Sequence, residues 1–201
     1  QINLSFHTPQ GRFCGRFVGQ TNGNVLLRRQ HYRLADEEQS LEYAKHFILA
    51  KISNSRKYLL RFKRDHRDRI DSHLFEEVNT ELTWALEQVQ VAEDKDSLLG
   101  IEGQAANQYF LIFNDLVLTD KETFQFNGRT RRPPLDCVNA LLSFGYSLLT
   151  YECQSALEAV GLDSYVGFFH TDRPGRASLA LDLVEEFRAF IVDRFVFSII
   201  N

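Results

Sequence analysis

Gly100-Ile-Glu102-Gly-Gln-Ala-Ala-Asn-Gln-Tyr-Phe110-Leu-Ile-Phe113 is the stretch that decides the fold. Glu102, Ala105, Ala106, Tyr109 and Phe113 fall at i, i+3, i+4, i+7 and i+11, which is one face of a helix. The two alanines let another element approach closely, so this face is expected to point inward and to carry its carboxylate with it. A carboxylate taken out of water has to be paired or to coordinate a metal. A Glu near a helix start is also favoured by the helix dipole alone, and the spacing does not separate the two uses.

Outward from this stretch the period stays helical. After Ala35-Asp36-Glu37-Glu38 a helix of about 25 residues is expected, with Leu41, Ala44, Ile48, Ile52 and Leu59 on one face. Further helices are predicted over 70–91, 97–114, 134–160 and 178–200. The aromatics and double proline of Thr123-Phe-Gln-Phe-Asn-Gly-Arg-Thr-Arg-Arg-Pro-Pro134 predict an ordered loop rather than a flexible linker. Residues 1–33 read differently. Short apolar bursts (Ile2, Leu4, Phe6; Phe13, Phe17; Val25, Leu27) lie between turn signals at Gln10-Gly11 and Asn22-Gly23, a strand and hairpin pattern. The predicted class is therefore mainly α: the remnant of a small N-terminal β-domain over 1–33, then an all-α domain over 34–201.

The 201 residues are 44% hydrophobic and 25% charged, a globular composition that excludes disordered and fibrous classes. No membrane span is expected: Val138–Tyr151 is about half the length needed, and the run to Ile200 is broken by Arg188, Asp193 and Arg194. The start shows no secretory leader, so a cytoplasmic protein is expected, and an odd count of three cysteines agrees. The lack of any Met and the apolar run at the end suggest a fragment cut at both ends.

Charge is divided unevenly. Residues 1–75 hold 14 Lys and Arg against 7 Asp and Glu, and residues 76–201 hold 9 against 20. The first part suits polyanions and the second cations. Within the basic segment Lys45–Arg69, residues such as Lys51, Arg56, Lys57 and Arg61 can track a phosphate backbone or form a solvated face. Arg129, Arg131 and Arg132, just before Pro133-Pro134, either present guanidiniums to phosphate or bridge to the acidic helices.

In the last helix Leu179, Leu183, Phe187, Phe190 and Ile191 read as the core stripe, with Asp182, Glu185 and Ala189 on the adjacent face. Carboxylates three residues apart repel, so they are solvated or a cation lies between them. The Pro-Gly turn in Thr171-Asp-Arg-Pro-Gly-Arg176 can fold His170 back over this helix, or His170 is a boundary residue. Together Glu102, the Asp182/Glu185 pair and His170 offer oxygen and nitrogen ligands that suit Mg2+ or Mn2+ better than structural zinc. No P-loop, dinucleotide-binding, nucleophile-elbow, Cys-x-x-Cys or zinc-protease motif is found.

Four blocks resemble the CRISPR-associated adaptation endonuclease/integrase family. They are Gly100-Ile-Glu102 to Phe110, Phe126-Asn-Gly-Arg-Thr-Arg-Arg-Pro-Pro to Tyr146, Gly161-Leu-Asp through Gly167-Phe-Phe-His170, and Gly175-Arg-Ala-Ser-Leu-Ala-Leu-Asp182-Leu-Val-Glu185-Glu-Phe-Arg188. Lys51-Ile-Ser-Asn54 resembles the start of that family's helical domain. The resemblance implies metal ligands at Glu102, His170 and Glu185, with Asp182 in the same catalytic site, and Mg2+ or Mn2+ as cofactor. It implies strand transfer of protospacer DNA into a CRISPR repeat, a homodimer, and a second, smaller adaptation protein as partner. The alternative is a non-catalytic DNA-binding scaffold or an inactive fragment of the same assembly. The family pattern is departed from at Ser164, Val184 and Ala189, none of them a ligand position.

Overall fold

The computed structural model describes residues 4–9, 13–17 and 24–201. The turn signals at Gln10-Gly11 and Asn22-Gly23, and Ile2, lie outside the described residues. Strands β1 (Leu4–His7) and β2 (Phe13–Phe17) pair antiparallel, with Leu4 opposite Phe17 and Phe6 opposite Gly15. Among the described residues seven α-helices follow: α1 Val25–Asp36, α2 Ser40–Asp65, α3 Ser72–Val91, α4 Lys95–Leu111, α5 Cys137–Ala159, α6 Ser178–Phe187 and α7 Arg194–Ile200. The chain is mainly α, as its periodicity implies.

The strand-like reading of 1–33 fails over its last third. Asn24 is an N-cap whose side chain accepts from the Leu27 N–H at 3.1 Å, so Val25 and Leu27 belong to α1. Short bursts of apolar residues fit both periods, and a cap one residue beyond Asn-Gly decides for helix. Three further helix starts follow the same chemistry. Asp71, Asp94 and Asp136 each accept a first-turn backbone N–H at the heads of α3, α4 and α5.

Helix α2 is the hub and packs against α3, α4 and α6, while α5 crosses α6. Its buried stripe of Ala44, Ile48, Ile52, Ser55, Leu59 and Phe62 meets Phe75, Val78, Leu82 and Val89 of α3. Asn54 Nδ2 donates to the Glu186 carbonyl at 2.9 Å and ties α2 to α6. Cys137, exposed, and Cys153, buried, are free thiols. Among the described residues no helix is long and apolar enough to cross a membrane.

Between α6 and α7, Arg188–Asp193 is π-helical. The extra residue per turn rotates the following side chains. Ala189, Val192 and Asp193 are thereby buried, whereas Phe190 is 59% and Ile191 46% exposed. The expected core stripe is corrected: Asp182 and Glu185 are already buried within α6, Ala189 is buried after them, and Phe190 and Ile191 lie outside.

Gly145 fixes how closely α5 meets the π-helical segment, because a Cβ there would sit 2.6 Å from Val192 Cγ1. Gly145→Ala should cost about 1–3 kcal/mol by overpacking. Urea denaturation checks this, and Val192→Ala in the same chain should recover part of the loss.

Candidate active site

Glu102 sits on the inner face of α4, beside Ala105 and above Tyr109, both buried. Glu185 is on the buried face of α6. The two carboxylates converge on one ammonium. Lys51 of α2 donates its Nζ to Glu102 Oε1 and pairs with Glu185 Oε2 at 2.6 Å, with only 14% of its side chain exposed. Arg188, one turn beyond Glu185, donates to both of its oxygens at 2.8 and 2.9 Å, and its guanidinium lies 4.1 Å from the centre of the Tyr146 ring. Burial works against ionising Glu185, but Arg188 and Lys51 outweigh it and hold the carboxyl well below the usual carboxylate range.

His170 is placed by Asp182. The Asp182 carboxylate is fully buried and accepts the backbone N–H groups of Phe168, Phe169 and His170 at 2.7, 3.0 and 2.9 Å. Its Oδ1 also lies 2.6 Å from His170 Nδ1. A carboxylate can only accept, so Nδ1 donates and a neutral ring keeps its lone pair on Nε2, the arrangement common to metal-ligating histidines. Gly167 makes the fold of this loop possible, since a Cβ there would lie 2.7 Å from Ser178 Cβ and 2.8 Å from the His170 carbonyl. Ser164 closes the loop from the other side: its carbonyl accepts from Leu179 and Ala180 at the head of α6. From α1 and α2, His31 Nε2 contacts the Val166 carbonyl at 2.9 Å and Tyr43 stacks on Phe168.

The expected ligands thus fall into two groups. Glu102 and Glu185 meet across Lys51, while His170 stands with Asp182, three residues before Glu185 on α6 and about 4.5 Å from it along the axis. Among the described residues no cluster of three or more His, Cys, Asp and Glu side chains is gathered closely enough to hold a metal ion. The donor set nonetheless fits a hard divalent cation. It consists of carboxylate oxygens and an imidazole, and the two glutamates already share a positive charge.

A cavity of about 30 Å3, room for water, adjoins Lys51 and Arg188, the partners of the two glutamates, and is lined also by Ala105, Arg131, Tyr146 and Asp193 among others. Beneath it Asp193 accepts from Tyr109 Oη at 2.9 Å and from Tyr146 Oη. Burial pushes its carboxyl up to about 6 against the opposing hydrogen bonds and Arg188.

The basic residues separate as well. Lys51 faces inward, which corrects its expected place on a DNA-facing surface. It follows Ile48 by three residues and precedes Ser55 by four, both buried, so its spacing carried the signal. Arg56 is committed to Asn79 at 2.8 Å, and Arg129 to Asn139 and Ser143 of α5 at 2.7 and 3.0 Å. Arg129 therefore holds the loop to α5. Asn139, fully buried, completes that anchor by bonding the Gly128 carbonyl and the Thr130 N–H. Arg131, Arg132, Lys57 and Arg61 are exposed. Two functional side chains escaped the sequence reading, the Arg188 clamp and the Asp193 carboxylate. Only Arg188, at i+3 from Glu185, had a readable pairing signal.

The family model for CRISPR associated protein Cas1 matches residues 1–201. The chain belongs to the Cas1 family. It is 46% identical over 201 residues to a CRISPR-associated endonuclease Cas1 of Chlorobaculum tepidum, covering all of this chain and 59% of the relative. A second such endonuclease, from Rhodospirillum rubrum, is 47% identical over 205 residues and is covered to 56%. The chain thus spans somewhat over half the length of these Cas1 relatives. Among solved structures, a casposase bound to integration product superposes with a TM-score of 0.81 at 31% identity, over 98% of this chain and 53% of that one. A partial Cas6-RT-Cas1–Cas2 complex gives 0.80 at 29% identity, over 100% and 58%.

Proposed function

We propose that this Cas1-family chain carries the catalytic centre of a metal-dependent DNA integrase that inserts protospacer DNA into a CRISPR repeat. The observation that carries the proposal is the convergence of Glu102 and Glu185 on one shared cation, with Asp182, which fixes the tautomer of His170, about one helical turn from Glu185 on α6. The solved casposase with its integration product and the Cas1–Cas2 complexes among its structural neighbours support the same reading.

In the reaction the 3′-hydroxyl oxygen of the incoming strand forms a new bond to a repeat phosphorus and gives up its proton. The bond from that phosphorus to the repeat's own 3′-oxygen breaks, and the released oxygen takes a proton. Little protein nucleophilicity is needed, and positioning and charge stabilisation do the catalytic work. Glu102, Glu185 and His170 through Nε2 would hold Mg2+ or Mn2+, which when bound supplies a Lewis acid for the phosphate. Arg188 keeps Glu185 ionised and oriented, and Asp182 holds the His170 ring. Arg131 lies at the cavity and Arg132 beside it on the exposed loop, where they can meet phosphate oxygens. A homodimer, a smaller Cas2-like partner and action in the cytoplasm belong to the same proposal.

Strand transfer of protospacer DNA into a supercoiled repeat plasmid by the intact protein tests it. Product is expected with Mn2+ or Mg2+ and none with chelator. DNA binding without turnover in either ion would establish the scaffold reading instead.

The DNA path is tested separately. Replacing Arg131 and Arg132 by Ala should weaken binding to unrelated sequences alike and flatten the slope of log affinity against log salt by about 2. An affinity loss with an unchanged slope would mean that the path lies elsewhere.

A further inference from the structure

We infer that Lys51 is a built-in cation that occupies the divalent-metal position between Glu102 and Glu185 and is displaced when a divalent ion binds. The inference rests on the metal reading above and goes beyond it by naming the chain's own competitor for the site.

Three observations carry it. Lys51 Nζ touches one oxygen of each glutamate, with Glu185 Oε2 at 2.6 Å, so it takes up a lone pair on both carboxylates that a shared metal would need. The two glutamates come from different helices, α4 and α6, and nothing but this ammonium connects their carboxylates among the described contacts. Without it, two carboxylates that are 17% and 9% exposed would face one another with no shared counter-charge. Finally, Lys51 has somewhere to go, because it lines a small cavity whose wall also includes Asp193 and the exposed Arg131. A lysine stem of four methylenes can swing its head into that space without moving α2.

Arg188 plays a different part. It binds Glu185 alone, through both oxygens, and is stacked on Tyr146. It is a fixed brace, whereas Lys51 is the group shared by both ligands. The resting protein therefore carries a neutralised site, and the metal's apparent affinity is lowered by the cost of expelling the ammonium. A site of this kind takes up its metal best when a second anion, such as a DNA phosphate, is present to receive the displaced ammonium.

Two measurements on the intact protein test this, with Mn2+ as the probe. In the first, thermal stability is followed while Mn2+ is titrated into the wild type and into Lys51→Met, which keeps the apolar stem. The variant should melt lower without metal. Its Mn2+-dependent rise should reach half-maximum at a concentration at least tenfold lower than in the wild type. An equal midpoint in the two proteins overturns the inference while leaving the metal reading standing. No Mn2+ response in the wild type or the variant overturns both.

The second measurement needs no variant and holds if Lys51→Met fails to fold. Amine-selective labelling of the wild type, read by mass spectrometry, should show Lys51 protected without metal and labelled several-fold faster in millimolar Mn2+. Exposed Lys57 serves as the internal reference. Labelling of Lys51 that stays constant or slows relative to Lys57 overturns the inference.

Discussion

Asp182→Ala should destabilise the protein by about 4 kcal/mol, more than the loss of the histidine it holds. The fully buried Asp182 carboxylate satisfies three consecutive backbone N–H groups and the His170 ring. Truncation leaves three backbone donors in a site closed by Gly167 and Ser178, each costing about 1–3 kcal/mol when unsatisfied. Set against a typical total of about 5–15 kcal/mol, that is a large share of the stability. Asp182→Asn should be milder but still damaging, since one of its two acceptors becomes a donor facing donors. His170→Ala removes a partly exposed ring and one hydrogen bond, so about 1 kcal/mol is expected. Strand transfer should nevertheless vanish in both variants, while DNA affinity persists in His170→Ala through phosphate contacts elsewhere. Urea denaturation alongside the transfer assay separates the roles. Equal stability losses in the two would show that Asp182 does not hold the loop together, and equal loss of DNA affinity and transfer in His170→Ala would make that residue structural.

What the sequence disclosed and what it withheld both follow from period and packing. The stripe at Glu102, Ala105 and Tyr109 is legible because Ala at close-approach positions and aromatics one turn on repeat at the α-helical period, and the structure places this face inward. Helix α1 was hidden because Val25 and Leu27 fit both periods, and only the Asn24 cap, a matter of backbone geometry, resolves them. The outward turn of Phe190 and Ile191 could not be read from a 100° wheel, since π-helical winding breaks the wheel at Arg188. The two glutamates were legible as ligand types, yet what joins them was not. Lys51 reads as one more cation in a basic segment; its spacing to Ile48 and Ser55 sets it on the inner face of α2, but that α4 and α6 bring both glutamates to it is a matter of packing. Of the two uses that the sequence leaves open for Arg129, neither includes the bond it makes, to Asn139 of α5.

Glu185→Gln should cost strand transfer about a thousandfold or more and should also lower stability, by about 3 kcal/mol. Glu185 receives Arg188 through two hydrogen bonds and Lys51 through a third contact, and all three side chains are largely out of water. Removing one partner of a buried ion pair costs about 3–5 kcal/mol because the remaining charge is stranded, although Arg188 retains its place over Tyr146 and Gln can still accept through one oxygen. Glu102→Gln should cost less, because Lys51 keeps Glu185 as its partner. For activity the order disappears. Each variant removes an anionic ligand from the centre, and several kcal/mol of lost charge stabilisation corresponds to about a thousandfold in rate or more. Adding Mn2+ should raise the melting temperature of the wild type but not that of Glu185→Gln. A normal Mn2+ shift in this variant, or strand transfer within tenfold of wild type, would place the metal and the chemistry away from α6. Loss of stability without loss of transfer would reduce Glu185 to the anchor of Arg188 and Lys51.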